Sequence, residues 1–92
     1  MVASNSDTLE VLACLPKEPL GASALEITVD VFGRDVPTYR DSVYRCISSL
    51  RKAGIRIHKT SETRGDDVCG YGVGEESWEQ AKAMLVDWTA QA

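Results

Sequence analysis

The chain has one histidine, no Cys-x-x-Cys or His-x-x-x-His pair, no Gly-x-Ser-x-Gly and no phosphate-binding glycine loop. Each absence removes a chemistry. A nucleophile elbow and a nucleotide cradle both need those spacings, and the carboxylates are scattered along polar segments, so the chain is expected not to be an enzyme. Cys14, Cys46 and Cys69 with His58 could supply four zinc-ligand atoms, but no short spacing holds two of them on one element. No metal site and no cofactor are therefore expected. Three cysteines is an odd number without the paired spacing of a disulfide framework, and their surroundings read as core, which points to free thiols in a reducing compartment. No apolar run reaches the roughly 18 residues of a membrane span, and the start, Met1 to Asp7, lacks the basic flank and apolar stretch of a secretion signal. The expectation is a cytoplasmic protein with no membrane partner.

What is present is enough for one domain: 92 residues with 43% apolar content, sufficient to bury a single modest core. The net charge of −4 opposes phosphate, but it is unevenly placed. Between Arg34 and Arg64 stand eight basic residues (Arg34, Arg40, Arg45, Arg51, Lys52, Arg56, Lys59 and Arg64) against Asp35, Asp41 and Glu62, while both flanks are acidic. Such a block marks the middle as an electrostatic footprint for nucleic acid; the plainer reading is a solvated face.

Periodicity divides the chain into four helical segments with a hairpin before the last. A first helix is expected over Asp7 to Leu15, with Ser6 as N-cap and Pro16 as stop. A loop holding Pro16, Pro19 and Gly21 follows. Ser23-Ala24-Leu25-Glu26 has the form of a capping box, and a helix is expected from Ala24 to Phe32 with Gly33 as its C-terminal cap and Leu25, Val29 and Phe32 on one side. The same stretch alternates Leu25, Ile27, Val29 and Val31 with polar residues, which is strand period, so strand stays open there. Thr38 with Asp41 offers a cap for the third helix, whose Val43, Cys46, Ile47 and Leu50 share one face and which Gly54 ends. Its opposite face carries Asp41, Arg45, Ser48, Ser49 and Lys52, with Arg40, Tyr44 and Arg51 along one flank. Ile55 to Thr60 and Val68 to Val73 are read as the two strands of a hairpin, joined by the polar tip Ser61 to Asp67. Glu75 to Ala90 closes the chain as an amphipathic helix.

The runs Val31-Phe32-Gly33-Arg34-Asp35-Val36, Asp41-Ser42-Val43-Tyr44-Arg45-Cys46-Ile47-Ser48-Ser49-Leu50-Arg51-Lys52 and Gly70-Tyr71-Gly72-Val73 resemble the DNA-binding effector domains of OmpR-type response regulators. The resemblance covers about Leu9 to Val73. It implies an α+β, mainly helical, winged helix-turn-helix fold: three helices, a two-stranded hairpin wing and, here, an extra C-terminal helix, in one domain over 1–92. It also implies a third helix in the major groove and a wing near the backbone of double-stranded DNA. The chain departs from the family in having no receiver domain before it, no evident N-terminal strands and a long helix after the wing. Control by phosphorylation is not implied, and a free-standing transcriptional regulator of phage or prophage type is the expectation.

Within that frame Arg45 is the candidate for bidentate contact with guanine, its alternative being an ion pair with Asp41 one turn away. Ser42, Ser48 and Ser49 are short enough for phosphates or base edges, and Arg40, Tyr44, Arg51 and Lys52 are candidate phosphate contacts. Lys59 and Arg64 on the wing could reach sugar-phosphate or the minor groove, opposed by Glu62, Asp66 and Asp67. Trp78, Ala81, Leu85 and Trp88 recur at helical spacing and form either part of the domain's own core or the seam of a homodimer. The rival expectation is a winged-helix module that binds protein and has no DNA affinity, which the acidic flanks would suit.

Overall fold

Among the residues described by the computed structural model, 5–63 and 69–91, four helices carry most of the chain. They are α1 (Asn5–Cys14), α2 (Ala24–Phe32), α3 (Pro37–Lys52) and α4 (Glu75–Gln91). Between α3 and α4, strands β2 (Ile57–Thr60) and β4 (Gly70–Val73) form a two-stranded antiparallel sheet, with Ile57 opposite Val73 and Thr60 opposite Gly70. The protein is thus a small, mostly helical α+β chain. None of its described helices is long and apolar enough to cross a membrane.

The segment expected to be a plain loop between the first two helices is a structural element. It contains β1 (Leu20–Gly21), which pairs in parallel with β3 (Glu62–Thr63). On either side of β1 the same segment bonds to β4. Pro16 O accepts from Val73 N–H at 2.8 Å, Glu18 N–H donates to Val73 O at 3.0 Å, and Ala22 and Tyr71 exchange backbone bonds at 2.9 and 2.8 Å. β4 is therefore paired on both edges, which satisfies its backbone groups and leaves the sheet edge covered. Two prolines hid this segment from a periodicity argument, because its pairing is long-range and only two residues of it are a strand.

Helix limits follow local chemistry, with corrections to the expected caps. Ser23 Oγ accepts from Glu26 N–H at 3.1 Å, and Gly33, at φ 85°, places its N–H on Val29 O at 2.8 Å. Those two ends decide for helix over strand in Ala24–Phe32. Ser23 is almost wholly buried, so Ser23→Ala leaves the Glu26 amide without its partner and is expected to lower stability by about 1 kcal/mol, read from a urea unfolding midpoint. Thr38 is not a cap. α3 begins two residues earlier than that cap would set, at Pro37, whose preset φ and missing N–H suit the first helical position, with Val36 extended before it as the cap residue. Ser6 likewise lies within α1, which starts at Asn5.

The core joins Val11, Leu12 and Leu15 of α1 to Val43, Cys46, Ile47 and Leu50 of α3, with Ile27, Ile55, Ile57, Val73 and Ala81 completing it. The stripe on α3 is the one its sequence periodicity defines. The face of α2 is not. Ile27 and Thr28 are buried and Val31 packs on the core, whereas Leu25 and Val29 are about 40% exposed. Buried Thr28 donates its hydroxyl to Ala24 O at 2.6 Å, so its polar atom enters the core satisfied. Both faces of this apolar helix were available to the sequence, and packing against α1 and α3 selected between them.

The start of α4 is tied to the hairpin by a closed set of bonds. Arg56 N–H donates to the buried Ser77 Oγ at 2.8 Å, Gly74 N–H to Arg56 O at 2.8 Å, and Ser77 N–H to Gly74 O at 2.9 Å. The helix leaves the sheet with Ala81 inside the core and Trp78, Met84 and Leu85 packed partly against it.

Candidate nucleic-acid interface

The face of α3 opposite its buried stripe presents Asp41, Arg45, Ser48, Ser49 and Lys52 to solvent. Tyr44 is 44% exposed on the neighbouring flank. The hairpin stands beside that flank. Lys59 is exposed on β2 directly opposite Tyr71 of β4, and the Arg51 guanidinium lies 6.0 Å from the centre of the Tyr71 ring. Helix flank and hairpin thus form one continuous surface, bridged by Arg51.

That bridge redefines Arg51. Its Nε and Nη2 donate to Ile57 O at 3.2 and 2.9 Å, so the side chain ties the last turn of α3 to the first residue of β2. The geometry makes Arg51 a structural brace where the sequence offered a phosphate contact. Charged donors to a carbonyl are strong, and Arg51→Ala is expected to cost about 1–2 kcal/mol in urea unfolding. An unchanged midpoint would remove the brace role.

Arg40 is also engaged. Its Nε donates to Asp35 Oδ1 at 3.0 Å and Nη2 to Oδ2, a bidentate pair at the start of α3. Arg34 lies 5.9 Å from the centre of the Tyr39 ring, which itself stacks on Phe32 at 5.0 Å. The basic block seen in sequence is therefore divided. Arg34, Arg40 and Arg51 are turned onto a ring, a carboxylate and a carbonyl of the chain, and Arg45, Lys52 and Lys59 are exposed on α3 and β2. Ser42 is half-buried and donates its hydroxyl to Thr38 O at 3.2 Å, which turns it back onto its own helix. Arg64 lies outside the described residues.

Tyr71 was read only as part of a strand motif, yet it sits at the centre of this surface. Burial pushes its phenol above the ordinary value, as does the nearby Tyr44, and Arg51 opposes them. Its cross-strand register with Lys59 was the sequence signal that could have placed it.

Of the residues considered for a dimer seam, Ala81 is enclosed by the core at 1% exposure and is not available to a partner. Trp78 and Leu85 are partly buried against the core, and Trp88 is half-buried further along α4. Beside them Val86 is 66% exposed.

The three cysteines are free. Cys46 is in the core, where burial raises its thiol pKa and its sulfur accepts from Thr8 Oγ1 at 3.8 Å. Cys69 is exposed beside β4, against the expectation that all three are core residues.

His58, whose only sequence role was as an unpaired zinc candidate, lies on the opposite face of β2 between two carboxylates. Nε2 is 3.0 Å from Glu76 Oε1 and Nδ1 is 3.8 Å from Glu18 Oε2. The Glu76 carboxyl is held below its ordinary pKa, first by the bond from its own backbone N–H at the start of α4 and then by His58. Sequence reasoning missed this group because its members come from three separate elements.

No family model, curated protein or solved structure matches the chain. Its functional reading therefore rests on the geometry described above.

Proposed function

We propose that this chain is a winged helix-turn-helix domain that binds duplex DNA as a small transcriptional regulator, with α3 in the major groove and the β2–β4 hairpin as a wing near the backbone. The observation that carries the reading is the exposed polar and basic face of α3, set beside a hairpin whose strand β2 carries the exposed cation Lys59. Element order supports it: helix, short strand, two helices, then an antiparallel hairpin whose inner strand pairs with the short strand's segment. In this reading Arg45 addresses base edges, Ser48, Ser49 and Tyr44 flank it, and Lys52 and Lys59 meet phosphates.

The test is fluorescence anisotropy with mixed duplex DNA across a salt series. Binding that weakens linearly on a log–log plot, with a slope of about −2 for the phosphates met by Lys52 and Lys59, supports the reading; no binding at low salt overturns it. The stoichiometry of the same titration addresses the accompanying proposal, a homodimer through the outer half of α4, where Leu85 and Trp88 flank the exposed Val86.

A second reading, a winged-helix module that binds protein, draws on a different observation. Leu25 and Val29 of α2 are exposed one turn apart, and three arginines of the basic block are engaged within the chain. A DNA-negative result would direct attention to that apolar face.

A further inference from the structure

We propose that Glu18, His58 and Glu76 form a binding site for a divalent transition-metal ion, with zinc as the reference member of the class. The three residues approach from separate parts of the fold: the segment leading into β1, strand β2 and the first turn of α4. One ligand atom from each lies within 4.8 Å of the other two. Bonds of about 2.0–2.2 Å to nitrogen and oxygen place neighbouring ligand atoms roughly 3–3.5 Å apart. Glu76 Oε1 stands 3.0 Å from His58 Nε2, while Glu18 Oε2 stands 3.8 Å from the other ring nitrogen, Nδ1, so an ion held on one nitrogen requires the imidazole to turn or one carboxylate to swing toward it.

The donor set fits the ion. A neutral imidazole with two carboxylates cancels a charge of two and suits zinc, cobalt, manganese or ferrous iron better than the thiolate-seeking ions, with water filling the remaining positions. The start of α4 works against a cation, because it carries about half a positive charge, and this is why both carboxylates are needed.

Two observations beyond the cluster point to a ligand. First, the backbone fixes the Glu18 carboxylate: Glu75 N–H donates to its Oε1 at 3.2 Å, which leaves Oε2 3.8 Å from His58 Nδ1. Second, Gly74 keeps the space open. A Cβ there would stand 2.6 Å from Glu76 Oε1 and 2.8 Å from His58 Nε2. Gly74 is not one of the positive-φ glycines, so its backbone conformation does not demand glycine; the room beside the two ligand atoms does.

A bound ion would add one more link among three elements brought together only by folding, and so would bind the folded chain in preference to the unfolded one. His58 alternates with Lys59 along β2, so the two side chains leave opposite faces of the strand, although Lys59 lines a surface hollow together with Glu18 and Glu75.

The test uses the full chain after treatment with a chelator, with Zn²⁺ followed by thermal unfolding and Co²⁺ by visible absorption. The expected result is a rise in the midpoint of several degrees with zinc, and cobalt bands of ligand-field type without thiolate charge transfer. His58→Gln should weaken cobalt binding by at least about tenfold. Gly74→Ala should weaken it while the metal-free unfolding midpoint stays near that of the wild type, since its Cβ meets only the mobile ends of two side chains. The idea is overturned by an absent zinc shift, by an equal response in His58→Gln, or by a thiolate band showing that the cysteines hold the ion.

Discussion

Replacing Arg45 and Lys52 together by alanine is expected to reduce duplex affinity by about 100-fold while leaving the fold in place. A bidentate base contact is worth about 1–3 kcal/mol of discrimination, and loss of a phosphate contact lowers the salt slope by about one. Both side chains are exposed on the outward face of α3, and the urea midpoint of the double variant, read beside its affinity, separates a lost contact to DNA from a lost contact within the chain. The choice of pair matters. Arg40 and Arg51 are equally basic in sequence, but alanine at either would disrupt an internal contact, to Asp35 or to Ile57 O, and a loss of binding could then reflect a damaged fold. Wild-type affinity in the Arg45, Lys52 variant would mean that α3 does not read DNA.

Gly72→Ala is expected to lower stability by about 3 kcal/mol. Its Cβ would stand 2.3 Å from Leu20 O and 3.4 Å from Pro16 O, which are backbone atoms of the segment that covers β4. Backbone cannot rotate away as a side chain does, so either this segment lifts from the strand or the hairpin shifts in register. Gly74→Ala is the internal control, because it meets only side-chain ends. A marginal folding free energy makes a loss of this size easy to read in urea. Equal midpoints for the two variants would show that the segment is not held against β4 as described.

Much of the secondary structure could be read before any tertiary information. The α3 stripe of Val43, Cys46, Ile47 and Leu50, the Ser23 cap, the Gly33 stop and the alternation in Ile57 to Thr60 each arise from interactions within about one helical turn or one strand. Sequence defined those because local propensity and periodicity act between near neighbours. The limit of that reasoning shows at α2, where two apolar faces compete and nothing local ranks them. It shows again at Pro16 to Ala22, whose pairing with β4 spans some fifty residues of chain and leaves no periodic trace.

The candidate surfaces divide along the same line. That α3 would have a polar, basic outer face was legible from a rotation of 100° per residue. Which of its cations remain outward was not, because Arg51 is spent on a carbonyl brought to it by the turn into β2, and Arg40 on a carboxylate placed by the turn before α3. Glu18, His58 and Glu76 carry no mutual spacing that a motif could encode, and they become a site only when a loop, a strand and a helix start are folded onto one another. Local sequence specified the four helices, with strand left open only for α2, and the two strands of the β2–β4 hairpin, since those depend on neighbouring backbone and side-chain energies. The tertiary structure alone decided which face of α2 is inside, which arginines are already engaged and which carboxylates share a histidine. Those outcomes depend on distances between groups far apart in the chain, and only folding sets them.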